Sequence, residues 1–271
     1  MVRTSPLLRW VLRLVVVAYL VLLIGWPVSM VVTHTFDHGF SALDKALADP
    51  NVTHALWLTA QVTAISVLIN TVFGVTISIL LVRYEFPGKR LLSALLDVPL
   101  SISPVVVGLS LLLVYNPRNG WFGQGLSDAG YQIIFATPGI VMATTFVALP
   151  LVIREVVPVL EEIGDEQEWA ARSLGASPVQ TLRRITLPAI KWAIVYGVVL
   201  ALARSLGEFG AVSVVSGKIV GSTQTATLVV EERYQNFDQP TAYAVAFLLA
   251  FASVVCIAIV AILRPKQEGK S

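Results

Sequence analysis

The sequence predicts an all-α integral membrane protein with six spans, and three observations lead to that fold class. Of the 271 residues, 56% are hydrophobic and only 13% are charged, whereas soluble domains carry about 25% charged residues. The apolar residues come in runs of about 20, the length of helix that crosses a ~30 Å hydrocarbon layer. Lysine and arginine are concentrated in every second connection between these runs, as expected of a chain that crosses a membrane repeatedly.

Six apolar runs are long enough to be membrane-spanning helices. Five of them contain no charged residue, and they are 14–32, 55–82, 98–117, 129–153 and 239–263. The sixth run, 192–217, is interrupted only by Arg204 and Glu208. The first run follows three arginines, but it is too long for the apolar part of a signal peptide and no clean cleavage motif follows it. We therefore expect it to be retained as the first span.

The basic residues predict the orientation of the spans. If the amino terminus is cytoplasmic, 14 of the 19 lysines and arginines fall on the cytoplasmic side, four fall on the other side, and Arg204 lies in the membrane. Because lysine and arginine are enriched in cytoplasmic loops, we predict that both termini are cytoplasmic. The net charge of +2 gives no reason to expect a nucleic-acid partner.

The cytoplasmic loop 154–191 contains two candidate helix starts. In the first, Asp165 is the expected N-cap residue with Glu168 at the N3 position. In the second, Ser177 is the expected N-cap residue with Gln180 at N3. Each pair has the form of a capping box, in which two side chains bond to free N–H groups at a helix start. The loop therefore predicts two short helices.

Gly175 is the predicted turn between these helices. The first helix, about 166–174, is expected to end there because glycine readily adopts the left-handed conformation that follows many helices. The second is expected to run to Leu187, where Pro188 bends the chain toward the fifth span. Both helices carry apolar residues that need a covering surface, namely Trp169, Ala170, Ala171, Leu174, Val179, Leu182 and Ile185. A partner protein or the chain's own span ends could supply that surface.

The same loop resembles the EAA loop of ATP-binding-cassette (ABC) importer permeases. The matching residues are Glu168, Trp169, Ala170 and Ala171, then Gly175, and then Ile185, Leu187 and Pro188. In that family the loop, here 161–190, forms a coupling helix that sits in a groove of the cytoplasmic ATPase. The resemblance implies the same contact for these residues. One departure is that Trp169 stands where the family has a glutamate, and the acid lies one place earlier at Glu168.

Arg204 and Glu208 are two charges in the fifth apolar run. Their spacing of four predicts that they share one helix face. An unpaired charge near the bilayer centre costs at least ~2.5–3.5 kcal/mol on insertion scales, so each should have a partner. One interpretation is a structural ion pair that fixes helix packing. The other is that Arg204 helps an anion to cross.

The segment 203–212, ARSLGEFGAV, is similar to the corresponding span of sulfate and molybdate permeases. Its continuation to residue 217 is more similar to the sulfate/thiosulfate branch, and residues 99–108 and 154–160 support the resemblance. The resemblance implies a permease subunit of an ATP-driven importer that moves sulfate or thiosulfate into the cytoplasm across the bacterial cytoplasmic (inner) membrane. A molybdate permease of the same branch is the alternative.

The implied architecture is a six-span, type I ABC importer fold, in which residues 55–263 form the ABC permease transmembrane domain. Residues 1–54 would form the cytoplasmic amino terminus, the first span and an outer loop, and 264–271 a cytoplasmic tail. A divalent oxyanion without its water needs several N–H and O–H donors, which glycine-rich helix breaks and hydroxyls supply. The residues expected to line the translocation path, or to form the intramembrane ion-pair site, are Arg204, Ser205, Glu208, Ser213 and Ser216.

The resemblance also implies partners. The sequence has no complete phosphate-binding G-x-x-x-x-G-K-[ST] loop, because the terminal Gly269-Lys270-Ser271 matches only its end. We therefore expect no catalytic residue, metal or cofactor in this chain, and ATP and Mg to be used by a separate ATPase. Two copies of that ATPase need two coupling helices, which implies a second, T-type sulfate permease. An extracytoplasmic sulfate-binding protein would deliver the anion.

The competing functions are a membrane enzyme and a proton-coupled carrier that use Arg204 and Glu208. The sequence contains no H-E-x-x-H motif, and its three histidines, His34, His38 and His54, all fall outside the predicted spans. This pattern speaks against a metal-dependent enzyme. A proton-coupled carrier stays open, and it would respond to the proton gradient rather than to ATP.

Overall fold

The computed structural model describes residues 6–37 and 39–263. Within these residues every regular element is helical. Five helices are long and apolar enough to cross a membrane, and there are six crossings if one bent helix pair counts as one. The predicted all-α integral membrane class is thereby confirmed. The predicted tail 264–271 and His38 lie outside the described residues.

The first span is one long apolar helix. It consists of α1 (Pro6–Leu20), a π-helical turn (Val21–Gly25) and α2 (Trp26–Phe36). It is longer at both ends than the predicted run 14–32. α2 packs on the last span through aromatic rings, with the centroids of Phe36 and Phe247 5.1 Å apart. The side chains of its most apolar stretch are exposed, as expected of a helix surrounded by lipid.

The second span is preceded by α3 (Ser41–Ala48) and is formed by α4 (Pro50–Arg83). The Asp49 side chain accepts the N–H of Asn51 at 2.9 Å, and Pro50 occupies the first turn. Both features favour a helix start at this point. The 34 residues of α4 extend about 51 Å at 1.5 Å per residue, well beyond the hydrocarbon layer. The predicted domain boundary between residues 54 and 55 falls inside α4, and the division into domains stays a prediction.

The third predicted span, 98–117, is not a single helix. The chain forms α5 (Lys89–Ser101) and α6 (Pro104–Tyr115), whose axes meet at 109°. Ile102 and Ser103 between them are extended, with ψ of 136° and 134°. The physical reason is Pro104, because a proline disfavours the helical conformation of the residue before it. The predicted run is therefore interrupted, and the two helices count as one crossing only as a bent pair.

The fourth span begins later and ends later than predicted. A short helix, α7 (Gly123–Asp128), is followed by an irregular segment and then by α8 (Thr137–Ile163). Gly130 and Phe135 have φ of 82° and 61°, and a positive φ is incompatible with a right-handed helix. The predicted start at residue 129 is therefore wrong. Beyond the predicted end at 153, α8 continues for ten residues to the cytoplasmic loop.

The fifth span is continuous with the second helix of that loop. After α9 (Glu166–Ser173) come α10 (Pro178–Thr181), a π-helical turn (Leu182–Thr186) and α11 (Leu187–Leu206), and the last three form one helix from Pro178 to Leu206. The prediction that Pro188 bends the chain is wrong, because Pro188 follows the π-helical turn and lies in the first turn of α11. The π-helical turn accommodates this proline within the continuous helix, since the N–H of Leu187 donates to the carbonyl of Leu182, five residues back.

The fifth span also ends earlier than predicted. α11 stops at Leu206, and a break at residues 207–209 precedes the short helix α12 (Gly210–Val215). α13 (Ala226–Gln235) and the last span, α14 (Gln239–Leu263), complete the fold. α13 packs on α14 and on α4.

The core lies between α4, α8 and α11. Val152 of α8 is fully buried between two glycines. A Cβ at Gly197 would lie 2.9 Å from the Cα of Val152, and a Cβ at Gly74 would lie 2.9 Å from its Cβ. Small residues allow such close approach of helices in membranes. This tight core holds the cytoplasmic loop at one end and the intramembrane charges at the other.

Candidate functional site

Glu168 is the buried charge of the cytoplasmic loop. Only 7% of the residue is exposed. Both of its carboxylate oxygens accept from Nε of Arg83 at 3.2 Å, and Oε1 also accepts from Oγ1 of Thr186 at 2.9 Å. The partners come from the end of α4 and from the π-helical turn. Sequence reasoning missed both, since Arg83 is 85 positions away and was counted only as a positive residue of a cytoplasmic loop.

The predicted cap of α9 by Asp165 and Glu168 is wrong. Asp165 is at the N-cap position, but its side chain makes no cap hydrogen bond. It accepts from Nε1 of Trp169 at 2.9 Å instead. The guanidinium carbon of Arg172 lies over the Trp169 ring, 5.8 Å from the ring centroid. The ring is therefore held between an anion and a cation rather than packed into the protein.

The turn after α9 has the predicted conformation. Gly175 has φ of +84°, and its N–H donates to the carbonyl of Arg172 at 2.9 Å. The N–H of Ala176 donates to the carbonyl of Ala171 at 3.0 Å. These two bonds form a Schellman motif, which ends a helix with a left-handed residue. The left-handed glycine is confirmed.

The second predicted cap is also confirmed. The Ser177 side chain accepts the N–H of Gln180, and the Gln180 side chain accepts the N–H of Ser177 at 2.9 Å. Beyond it, Ile185 and Leu187 are partly buried and Pro188 is exposed. The residues matched to the EAA loop thus divide between α9 with its turn and the cytoplasmic end of the fifth-span helix.

Most of the predicted apolar face of the loop is uncovered. Leu174 is 89% exposed and Trp169 is 61% exposed. Ala170, Val179 and Leu182 are exposed as well. The chain's own spans therefore leave this surface uncovered.

Arg204 and Glu208 form the predicted ion pair. Nη1 of Arg204 is 2.7 Å from Oε2 of Glu208, and the two side chains are 39% and 2% exposed. They do not share a helix face, because α11 ends at Leu206 and Glu208 lies in the break. Oε1 of Glu208 accepts the N–H of Ala211 at 2.9 Å. Glu208 is therefore an ion-pair partner and also the acceptor for a free N–H in the first turn of α12.

The break that holds Glu208 packs against the break of the third crossing. A Cβ at Gly108 would lie 2.7 Å from the carbonyl oxygen of Ala211, and a Cβ at Gly210 would lie 3.0 Å from Cβ of Pro104. The sequence motifs around residues 104–108 and 207–210 are thus two halves of one contact. No local pattern in the sequence indicates that these two segments meet.

The three predicted serines have different environments. Ser205 is buried, and its hydroxyl has no hydrogen-bond partner among the described residues. The Ser213 hydroxyl donates to the carbonyl of Gly210 at 2.8 Å, and the Ser216 hydroxyl accepts the N–H of Lys218 at 3.1 Å. The last two therefore serve their own backbone. A role for any of the three in the translocation path stays a prediction.

Comparison with known proteins identifies the family. A sequence-family model described as "Binding-protein-dependent transport system inner membrane component" matches residues 70–269, which include the loop 161–190 and the Arg204–Glu208 pair. The chain belongs to this family of inner membrane transport components. It is therefore a multi-pass permease subunit, as predicted, and not an enzyme.

Two relatives and one solved structure illustrate the similarity. The chain is 48% identical to the "Sulfate transport system permease protein CysW" of Synechococcus elongatus, over 93% of this chain and 88% of that protein. It is 36% identical to the "Sulfate transport system permease protein CysT" of Salmonella typhimurium, over 88% and 86%. The crystal structure of a bacterial ABC transporter for the acidic polysaccharide alginate matches with a TM-score of 0.79 at 16% identity, covering 94% of both chains. This last likeness confirms the predicted ABC importer fold for a permease of this family.

Proposed function

We propose that this permease is one of two membrane subunits of an ATP-driven importer that moves sulfate or thiosulfate into the cytoplasm. The observation that carries the proposal is the 48% identity to a CysW sulfate permease over nearly the whole chain. The lower identity to CysT proteins supports a W-type subunit whose partner is a T-type permease. An extracytoplasmic sulfate-binding protein would present the anion to the outer face.

The coupling loop is the proposed docking site for a separate cytoplasmic ATPase, of which the complex would contain two copies. Its uncovered apolar residues, Leu174 and Trp169, support this role. Trp169 differs from the family's glutamate, but the acid at Glu168 points inward to Arg83, so Trp169 and Ala170 are exposed on α9 while Glu168 is not. ATP and Mg would be bound by that ATPase. Both termini of the permease would lie on the same cytoplasmic side as the loop.

Arg204 is proposed to contact the passing oxyanion. Both carboxylate oxygens of Glu208 already have partners, Ala211 N–H and Arg204. The Arg204 side chain, in contrast, remains 39% exposed and has further N–H donors beside the one that faces Glu208. The Arg204→Lys variant should assemble normally and slow uptake by about tenfold, because a point charge replaces a planar fork that matches oxyanion geometry. Normal uptake by this variant would remove Arg204 from the path.

The proposed function is tested by uptake of radiolabelled sulfate into proteoliposomes. They would contain this permease, a T-type sulfate permease and the ATPase, with the sulfate-binding protein outside and ATP inside. We expect uptake that requires ATP and that unlabelled thiosulfate inhibits. The matched control lacks only this permease. Stronger inhibition of uptake by molybdate than by thiosulfate would support the molybdate permease. Uptake that does not require ATP but stops when the proton gradient is removed would support the proton-coupled carrier.

A further inference from the structure

We infer that Arg83 is a positioning residue that links the coupling helix α9 to the second and fourth spans, so that movement of a docked ATPase reaches the transmembrane core. This inference rests on the proposed function, in which α9 is the docking element. Its basis is the arrangement of Arg83 at the cytoplasmic end of α4. Its guanidinium contacts both α9 and the end of α8.

Each nitrogen of the Arg83 guanidinium has a different partner. Nε donates to both carboxylate oxygens of Glu168 on α9 at 3.2 Å. Nη1 donates to the carbonyl of Leu160 at 3.1 Å, and Nη2 donates to the carbonyl of Gly164 at 2.7 Å. Leu160 and Gly164 lie in the last turn and at the C-cap of α8. The same side chain therefore caps one span and holds the coupling helix.

The burial of the contact makes it stiff. The Arg83 and Glu168 side chains are 11% and 9% exposed, so water competes poorly for either. The Thr186 hydroxyl fixes the carboxylate from the other side, and Thr186 belongs to the helix that continues into the fifth span. Glu168 is thus bonded both to the second-span helix, through Arg83, and to the fifth-span helix, through Thr186.

Without Arg83, α9 would be attached mainly to its own chain neighbours. Its close packing partners are α10 and the π-helical turn, both parts of the fifth-span helix. Arg83 adds α4 and α8 to that set. A lysine cannot replace it, since one ammonium group lacks the planar fork that reaches a carboxylate and two carbonyls in fixed directions.

The inference is tested with Arg83→Gln, Arg83→Lys and Glu168→Gln in the reconstituted complex. The matched control is Arg154→Gln, which removes the same charge from an ion pair with Asp97 at the same end of the bundle. That pair is more than half exposed and is expected to contribute little. For each variant, ATP hydrolysis is measured with and without sulfate-loaded binding protein, and is normalised to the amount of assembled complex.

We expect the three variants to assemble and to lose about tenfold of the stimulation of ATP hydrolysis by loaded binding protein, a change in the usual range of coupling between two sites. The control should keep its stimulation. A merely structural role would lower the yield of complex without changing the stimulation per complex. Stimulation within about twofold of wild type in Arg83→Gln would overturn the inference. So would failure of all three variants to assemble, since Arg83 would then act in folding.

Hydrogen exchange of the amides in 166–173 gives a second readout that needs no substrate. Exchange in α9 should be faster in Arg83→Gln than in wild type, while exchange in α14 stays the same. Unchanged exchange in α9 would show that Arg83 does not hold this helix. Failure of the proposed function looks different, because the wild-type complex would then hydrolyse ATP without sulfate uptake while the exchange difference remained.

Discussion

Arg204→Ala should destabilise the permease more than Glu208→Gln, although both break the same ion pair. Removing Arg204 leaves a carboxylate whose side chain is 2% exposed without a cation, and breaking a buried pair in this way costs about 3–5 kcal/mol. Removing the charge of Glu208 leaves a guanidinium that is 39% exposed. The glutamine oxygen can still accept the N–H of Ala211. We therefore expect Glu208→Gln to cost only about 1 kcal/mol, as is usual for one polar contact between membrane helices.

The double variant Arg204→Ala/Glu208→Gln distinguishes this reasoning from simple addition of two defects. It contains no unpaired buried charge, so it should be more stable than Arg204→Ala alone by about 2 kcal/mol. Stability would be measured as the thermal midpoint and the yield of assembled complex in detergent. Arg154→Gln, which breaks an exposed pair, is the control and should resemble wild type.

A double variant as unstable as the sum of its two single variants would refute this account of the pair. Such a result would mean that Arg204 and Glu208 act independently, and that Arg204 has another anionic partner. Comparing the stability of Glu208→Ala with that of Glu208→Gln separates the contribution of the bond to Ala211 from that of the negative charge. Glu208→Ala also removes the acceptor for Ala211 and should lose a further ~0.5–1.5 kcal/mol, the usual net contribution of one hydrogen bond.

Three further predictions concern the coupling loop, the topology and the core. Gly175→Val should reduce stimulated ATP hydrolysis about tenfold with the complex still recoverable, because valine is strained at φ of +84°; normal stimulation would exclude the turn from coupling. In a cysteine-free background, a cysteine at Asp238 should react with an impermeant thiol reagent from outside and one at Glu166 should not; the opposite labelling would reverse the orientation. Gly197→Ala should lose about 1–3 kcal/mol in thermal unfolding, since its Cβ meets backbone at 2.9 Å. Gly207→Ala, with no atom closer than 4.0 Å, should be neutral, and equal effects of the two would contradict the packing.

The sequence predicted the features that depend on neighbours along the chain. The all-α membrane class follows from apolar runs of sufficient length. The capping box at Ser177 and the left-handed Gly175 follow from local residue types, and both are present. The Arg204–Glu208 pair follows from the cost of an isolated charge in lipid.

Features that depend on distant parts of the chain were missed. The partner of Glu168 is Arg83, in another span, and no local pattern points to it. Competition for the same side chain also explains the failed cap at Asp165, which binds the Trp169 ring nitrogen instead. The break before Pro104 was available in the sequence, because a proline disfavours helix in the residue before it. An apolar run hides such a break when only its length is counted.

The two candidate sites are connected by one helix. The helix from Pro178 to Leu206 is continuous, and it carries Thr186, which holds Glu168, and Arg204, which pairs with Glu208. Eighteen residues separate Thr186 and Arg204, a distance of about 27 Å at the α-helical rise. Because this helix packs on α8 through the close Gly197–Val152 contact, it should move as a rigid body rather than bend. A displacement of α9 would then be carried by Thr186 along this helix to Arg204 and the adjacent break, and by Arg83 to α4. Coupling of this kind needs no continuous chain of polar contacts between the two sites. It needs only that α4 and the helix Pro178–Leu206 both bind Glu168 and pack against each other.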